Sequence, residues 1–149
     1  MPASEYRPQL ATLVKSAPEG DEWLHEIKYD GYRIGCRIRG SRVALYSRNG
    51  KDWTAAFPEI VQAARALGVR DALLDGEVAM MLPDGRTSFQ ALHGAFSAEP
   101  EAGRAAHPDF VFDLLRLDGE RLDARPLEER KARLRALVGR RRTRSRIRY

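Results

Sequence analysis

The sequence predicts an α+β domain built from antiparallel sheets with a few packed helices. Three observations lead there. Short stretches of period-two alternation are separated by glycine turns, as in strand hairpins. Other stretches place apolar residues at helical spacing. No strand-like run is followed by a glycine-rich loop opening a helix, which argues against a P-loop or a dinucleotide-binding Rossmann unit. Hairpins interrupted by helices, rather than regular strand–helix alternation, indicate α+β.

The elements follow in order. Residues 1–20 contain prolines and little pattern, and read as an extended lead-in. Trp23 to Lys28 alternates in character, as a strand does. Tyr32 to Arg39 sets Ile34, Cys36 and Ile38 against Arg33, Arg37 and Arg39. Gly40-Ser41 is a turn signal, and Arg42 to Ser47 is again strand-like. Phe57, Ile60, Val61, Ala64 and Leu67 mark a helix, with Pro58 suited to its first turn and Gly68 to its stop. Ala72 to Leu82 returns to strand character and closes at Pro83-Asp-Gly85. Ser88 is an N-cap for a helix reaching Phe96. Asp109 to Leu117 is a buried strand ended by Asp118-Gly119. Pro126 to Val138 is a helix, and Arg146 to Tyr149 reads like the start of another strand.

At 149 residues the chain is one domain's worth of sequence and can bury a core. No apolar run approaches the ~18 residues that a membrane span needs, and the N-terminus carries no secretory pattern. The single cysteine, Cys36, excludes an internal disulfide and fits a reducing compartment. No clustered Cys/His ligands point to zinc. Ten of the 26 Lys/Arg lie between Arg130 and Tyr149, where there is no Asp or Glu; elsewhere the 21 acidic residues outnumber the basic ones. The positive charge therefore belongs to the C-terminal end, residues 139–149 above all. It is either a solvated tail or an attractor of phosphate backbones.

One run carries chemistry. Lys28 precedes a turn at Asp30-Gly31 in Glu26-Ile-Lys-Tyr-Asp-Gly-Tyr-Arg33. A lysine amine is nucleophilic only when desolvation or a neighbouring cation disfavours its protonation. A turn glycine lets backbone approach a ligand closely. Taken alone, a lysine beside a turn is a surface residue more often than a nucleophile.

The run resembles the Lys-x-Asp-Gly-x-Arg element of the covalent nucleotidyltransferases: DNA ligases, RNA ligases and mRNA capping enzymes. Three further elements follow in family order: Ser47-Arg-Asn-Gly50 with Asp52-Trp53-Thr54, Leu74-Asp-Gly-Glu77, and Phe112-Asp113 within Phe110 to Leu115. Pro126-Leu-Glu-Glu-Arg-Lys131 then resembles the helix that follows in ligases. The wording is most similar to the ATP-dependent DNA ligases, in particular the ligase domain of the bacterial end-joining type. The resemblance implies an ATP-grasp-like nucleotidyltransferase adenylation domain, of which residues 1–149 are the N-terminal portion.

It also implies roles. Lys28 would attack the α-phosphate of ATP and hold AMP as a phosphoramidate. Glu26 would accept from the adenine amine, with Ile27 beside it in the nucleotide site. Arg33 and Arg48 would contact the ribose and phosphate region. Glu77 would bind the ribose hydroxyl and a magnesium ion, and Phe112 would stack on the base. On its own residues Phe112 is core, Glu77 a solvated hairpin residue, and Arg33 and Arg48 solvent-side strand positions. Asp30 and Asp75 read as turn or support residues, Trp53 as a packing anchor, and His25, His93 and His107 as structural or surface residues. The implied partner is nicked or broken duplex DNA, and the implied location is the cytoplasm, at the nucleoid.

Nothing after Leu137 matches the family's Glu-Gly-Ile/Val or Lys-x-Lys segments. Lysines of the latter compensate the triphosphate and disfavour protonation of the nucleophile. The 149-residue chain alone is therefore expected to self-adenylate weakly or not at all, and an unfinished sheet to invite association through an open edge. The alternatives are a non-catalytic nucleotide- or DNA-binding remnant, or an RNA ligase or capping-type transferase.

Overall fold

The computed structural model describes residues 6–97, 109–139 and 146–149. Strands β1 (Tyr32–Arg39) and β2 (Arg42–Ser47) precede helix α1 (Pro58–Arg65) and strand β3 (Asp71–Val78). Helix α2 (Phe89–Ser97) is followed by β4 (Asp109–Leu117), the short β5 (Glu120–Arg121), α3 (Leu127–Val138) and β6 (Ile147–Arg148). They form one sheet in the order β2-β1-β3-β4-β5, with β6 also pairing β4.

Two tight hairpins follow from their turn residues. Arg39 pairs with Arg42 across Gly40, whose φ of 60° is what a type II′ turn asks of its first central residue. Leu117 pairs with Glu120 across Asp118 and Gly119, both at positive φ, the Asp-Gly pattern of a type I′ turn.

Alternation along the strands divides the sheet into two faces. Ile34, Cys36, Ile38, Val43, Leu45, Ala72 and Leu74 pack with Phe57, Ile60 and Ala64 of the α1 region and with Leu134 and Val138 of α3. That face is the main core. The opposite face holds a smaller cluster of Tyr6, Ala44, Tyr46 and Leu73, and the polar residues Arg33, Arg37 and Asp75 share its side of the pleat.

Much of the expected pattern is present, including the Ser88 cap: its Oγ accepts from the Ala91 N–H at 3.2 Å. Three elements differ. Trp23 to Lys28 forms no strand and is exposed, because β1 already has β2 on one side and β3 on the other. The strand expected to reach Leu82 ends at Val78, with only an isolated Met81–Thr87 bridge beyond it. The sheet is not wholly antiparallel, since β6 joins β4 in parallel. The chain after Ser47 folds back along β2, where Trp53 N–H donates to Leu45 O and Ser47 N–H to Lys51 O. The other edge is finished by β5 and β6, only two residues each.

Candidate active site

The turn that carries Lys28 is held by its neighbours. Gly31 N–H donates to Glu77 Oε1 at 2.7 Å, and Asp30 Oδ2 accepts from the Phe89 N–H, at the start of α2, at 3.2 Å. Gly31 has no room for a side chain: a Cβ would meet Val78 O at 2.0 Å. The close approach this glycine allows is to β3 itself, not to a ligand.

Strand pairing brings the next residues together. Arg33 and Glu77 are cross-strand partners, as are Gly35 and Asp75. The Arg33 guanidinium donates to both Asp75 oxygens, Nε to Oδ1 at 2.8 Å and Nη2 to Oδ2 at 2.7 Å. Burial works against the arginine's charge, but the hydrogen bonds and charge of Asp75 outweigh it, and the group stays protonated. Asp75 is thus a buried support residue. Glu77 is half-buried rather than fully solvated, and burial pushes its carboxyl above the ordinary range despite the Gly31 N–H and the charges of Lys28 and Arg33.

Phe112 is not core. Between the pairs Asp75–Asp113 and Gly76–Val111, β4 has one residue more than β3, and that residue is Phe112. Such a bulge re-aims a side chain out of the alternation. The ring is half-buried while Phe110 and Val111 just before it are buried, and the Arg33 guanidinium carbon lies 4.6 Å from its centroid. Arg130 of α3 grips the adjacent Asp113 through two bonds of 2.8 and 2.9 Å. Lys131 donates to the Phe112 carbonyl at 2.6 Å and pairs with Glu26.

Two hollows divide the candidate residues. One, of about 530 Å³, is lined by Glu26, Ile27, Tyr29, Phe112, Lys131 and Tyr149, among others. The second, of about 590 Å³, is lined by Gly31, Arg33, Arg48, Lys51, Trp53 and Glu77, among others. Lys28 is exposed and lines neither hollow; its chain neighbours Ile27 and Tyr29 both line the first, and Gly31, three residues on, lines the second. The first hollow, with an aromatic wall and a carboxylate, suits a planar base; the second, with three cations, suits phosphates. Arg48 is exposed on the Ser47–Gly50 turn, which is closed by a Gly50 N–H to Ser47 O bond of 2.8 Å. Trp53 is the packing anchor the sequence suggests, against Tyr32 and Phe57 at 4.9 and 5.7 Å.

The described residues contain no group of three or more His, Cys, Asp or Glu able to hold a metal ion. Magnesium is commonly bound by one or two carboxylates plus substrate phosphates. Glu77, a single carboxylate in the cationic hollow, fits a metal arriving on a nucleotide rather than a protein-built cage.

Sequence reasoning misses two participants, Tyr6 and Lys131. Tyr6 Oη donates to Asp75 Oδ1 at 2.7 Å, and the only signal for it is Gly35 in mid-strand, a mark of close approach. Lys131 belongs to the helix signature after the fourth motif, which by itself gives it no role. The basic character of the C-terminal end is also partly internal: Arg130, Lys131 and Arg133 have carboxylate partners, and Arg135 lies over Tyr149. Arg140 to Arg144 and His107 lie outside the described residues. Among the described residues no helix is long and apolar enough to cross a membrane.

Comparison with known proteins bears on this arrangement. The profile of the ATP dependent DNA ligase domain matches residues 3–148. The multifunctional non-homologous end joining protein LigD of Pseudomonas aeruginosa is 46% identical over 132 residues, 88% of this chain and 15% of that protein. DNA ligase B of Mycobacterium tuberculosis is 41% identical over 137 residues, 87% of this chain and 27% of that protein. The chain thus spans a minor part of the relatives it matches. Among solved structures, the ligase domain of M. tuberculosis LigD superposes with a TM-score of 0.66 at 32% identity, covering 75% of this chain and 36% of that one. A mycobacterial DNA ligase D complexed with ATP and MES gives the same score and identity, with 35% of that chain covered. Profile, relatives and superposition agree, and the chain belongs to the ATP dependent DNA ligase domain family.

Proposed function

We propose that this chain carries the nucleotide-charging step of ATP-dependent DNA joining. The observation that carries the reading is a pair of hollows, one aromatic and lined by the residues on either side of Lys28, the other cationic and beginning at Gly31. In this reading adenine lies against Phe112 and Ile27, with its amine directed to Glu26. Glu26 must then share or release Lys131, its present partner. Arg33 and Arg48 face the ribose and phosphates with forked donors. The Lys28 amine attacks the α-phosphate. A P–N bond forms, the P–O bond to pyrophosphate breaks, and the amine loses its proton. Magnesium on the triphosphate, held by Glu77, would screen charge and polarise the α-phosphate. The AMP then passes to a 5′-phosphate at a nick or break in duplex DNA, so the working place is the nucleoid. Similarity to an ATP-complexed ligase supports adenine as the base.

Incubation with α-labelled ATP and magnesium, then denaturing electrophoresis, tests the reading. Slow, acid-labile label that disappears in Lys28→Ala is expected. Label that persists in Lys28→Ala refutes Lys28 as nucleophile. Labelling by GTP in preference to ATP refutes ATP as the nucleotide donor. ATP binding with no label over hours favours a non-catalytic nucleotide-binding role.

A further inference from the structure

We propose that Tyr6 is a positioning residue for the nucleotide site: through Asp75 it fixes Arg33 over the Phe112 ring. The inference rests on the nucleotide reading above and adds to it a residue from the lead-in.

The contact is built from both sides. A glycine within a strand weakens it unless another group needs the space. At Gly35 the space is taken, since a Cβ there would lie 2.4 Å from Tyr6 Cγ. Tyr6 is 4% exposed, although Leu10, Leu13 and Val14 of the same lead-in are all more than half exposed. The ring therefore docks alone, as an anchor inserted through the opening that Gly35 leaves in β1.

The hydroxyl does something the ring does not. It donates to Asp75 Oδ1, the oxygen that also accepts from Arg33 Nε at 2.8 Å, while Oδ2 accepts from Nη2. A carboxylate offers about four acceptor sites. Three fixed donors leave Asp75 no rotation that keeps them all, and the planar guanidinium is locked with it. That plane carries the arginine to 4.6 Å from the Phe112 centroid. A phenylalanine would fill the Gly35 opening equally well, so packing alone does not require a tyrosine.

The test uses the full chain and two variants, Tyr6→Phe and Tyr6→Ala. AMP affinity is measured by calorimetry. The Arg33 Nε–H resonance, assigned with Arg33→Lys, is followed by nitrogen-edited NMR for its exchange with water. Urea unfolding reports the fold, and Tyr6→Phe keeps the ring should Tyr6→Ala fail to fold. In Tyr6→Phe, AMP binding is expected to weaken about three- to tenfold, the scale of one ordinary net hydrogen bond. Arg33 Nε–H exchange is expected to quicken in the same variant. If either the affinity or the exchange rate stays at the wild-type value, Tyr6 is only structural and the inference falls. If the wild-type chain binds no AMP, the nucleotide reading falls and takes this inference with it. The wild-type control separates the two failures.

Discussion

Arg33 and Asp75 reach each other diagonally across β1 and β3 as a two-bond pair, 2.8 and 2.7 Å, with the carboxylate almost wholly buried and the guanidinium partly open to solvent. Removing one partner of such a pair strands the other's charge. Asp75→Ala should lower stability by roughly 2–3 kcal/mol, below the fully buried case because Arg33 reaches water. Arg33→Lys should cost less stability but lose the fork, and with it the fixed approach to Phe112. Urea unfolding of both variants, with AMP affinity measured alongside, checks this. An Asp75→Ala chain as stable as wild type would show the pair to be incidental.

Lys28 should separate chemistry from folding. It is exposed, so Lys28→Ala should change stability by no more than about 0.5 kcal/mol. Labelling from ATP should vanish completely, since no other amine stands in its place in the turn. Parallel unfolding and labelling measurements decide the point; a large stability change would mean that the side chain is packed rather than exposed.

Gly31→Ala should do the reverse and damage both. The new Cβ would meet the Val78 carbonyl at 2.0 Å, a backbone atom that cannot swing aside. Overpacking of this kind costs about 1–3 kcal/mol. It should also pull the Gly31 N–H from Glu77 and shift Lys28. The expected result is a lower unfolding midpoint together with weaker labelling, and a normal midpoint would contradict so close an approach of the turn to β3.

Glu77 gives a pH signature. Burial raises its carboxyl in the folded chain, so the folded state holds this proton more tightly than the unfolded state. Its ionisation therefore subtracts stability as pH rises from the ordinary carboxylate value through the raised one. Glu77→Gln keeps an acceptor for Gly31 and removes the titration. The variant should match wild type at low pH and gain relative stability across that window, then hold level above it. Unfolding free energies of the two chains over a pH series measure this, and a difference that shrinks with rising pH would contradict it. Labelling should fall in the same variant, because a neutral amide is a poorer partner for magnesium.

Local chemistry made much of this protein legible in its sequence. Period-two alternation sorted Ile34, Cys36 and Ile38 from Arg33 and Arg37, helical spacing marked α1 and α3, and Ser88 announced its own cap, because each depends on neighbours a few residues away. The ordered motifs, through their resemblance to the ligases, put forward Lys28, Glu26, Ile27, Arg33, Arg48, Glu77 and Phe112 as site residues. Only the tertiary structure decided where those residues stand. Trp23 to Lys28 alternates like a strand but found both edges of β1 occupied. Phe112 sits in an apolar run that reads as core, and an extra residue in the β4 register turned it out. Tyr6 and Asp75 are 69 positions apart, and Lys131 and Glu26 are 105 apart. Side-chain periodicity assigns a face to each residue but says nothing about which distant segment will cover it. That choice is made by pairing register, steric room at glycines, and the need of buried charges for partners.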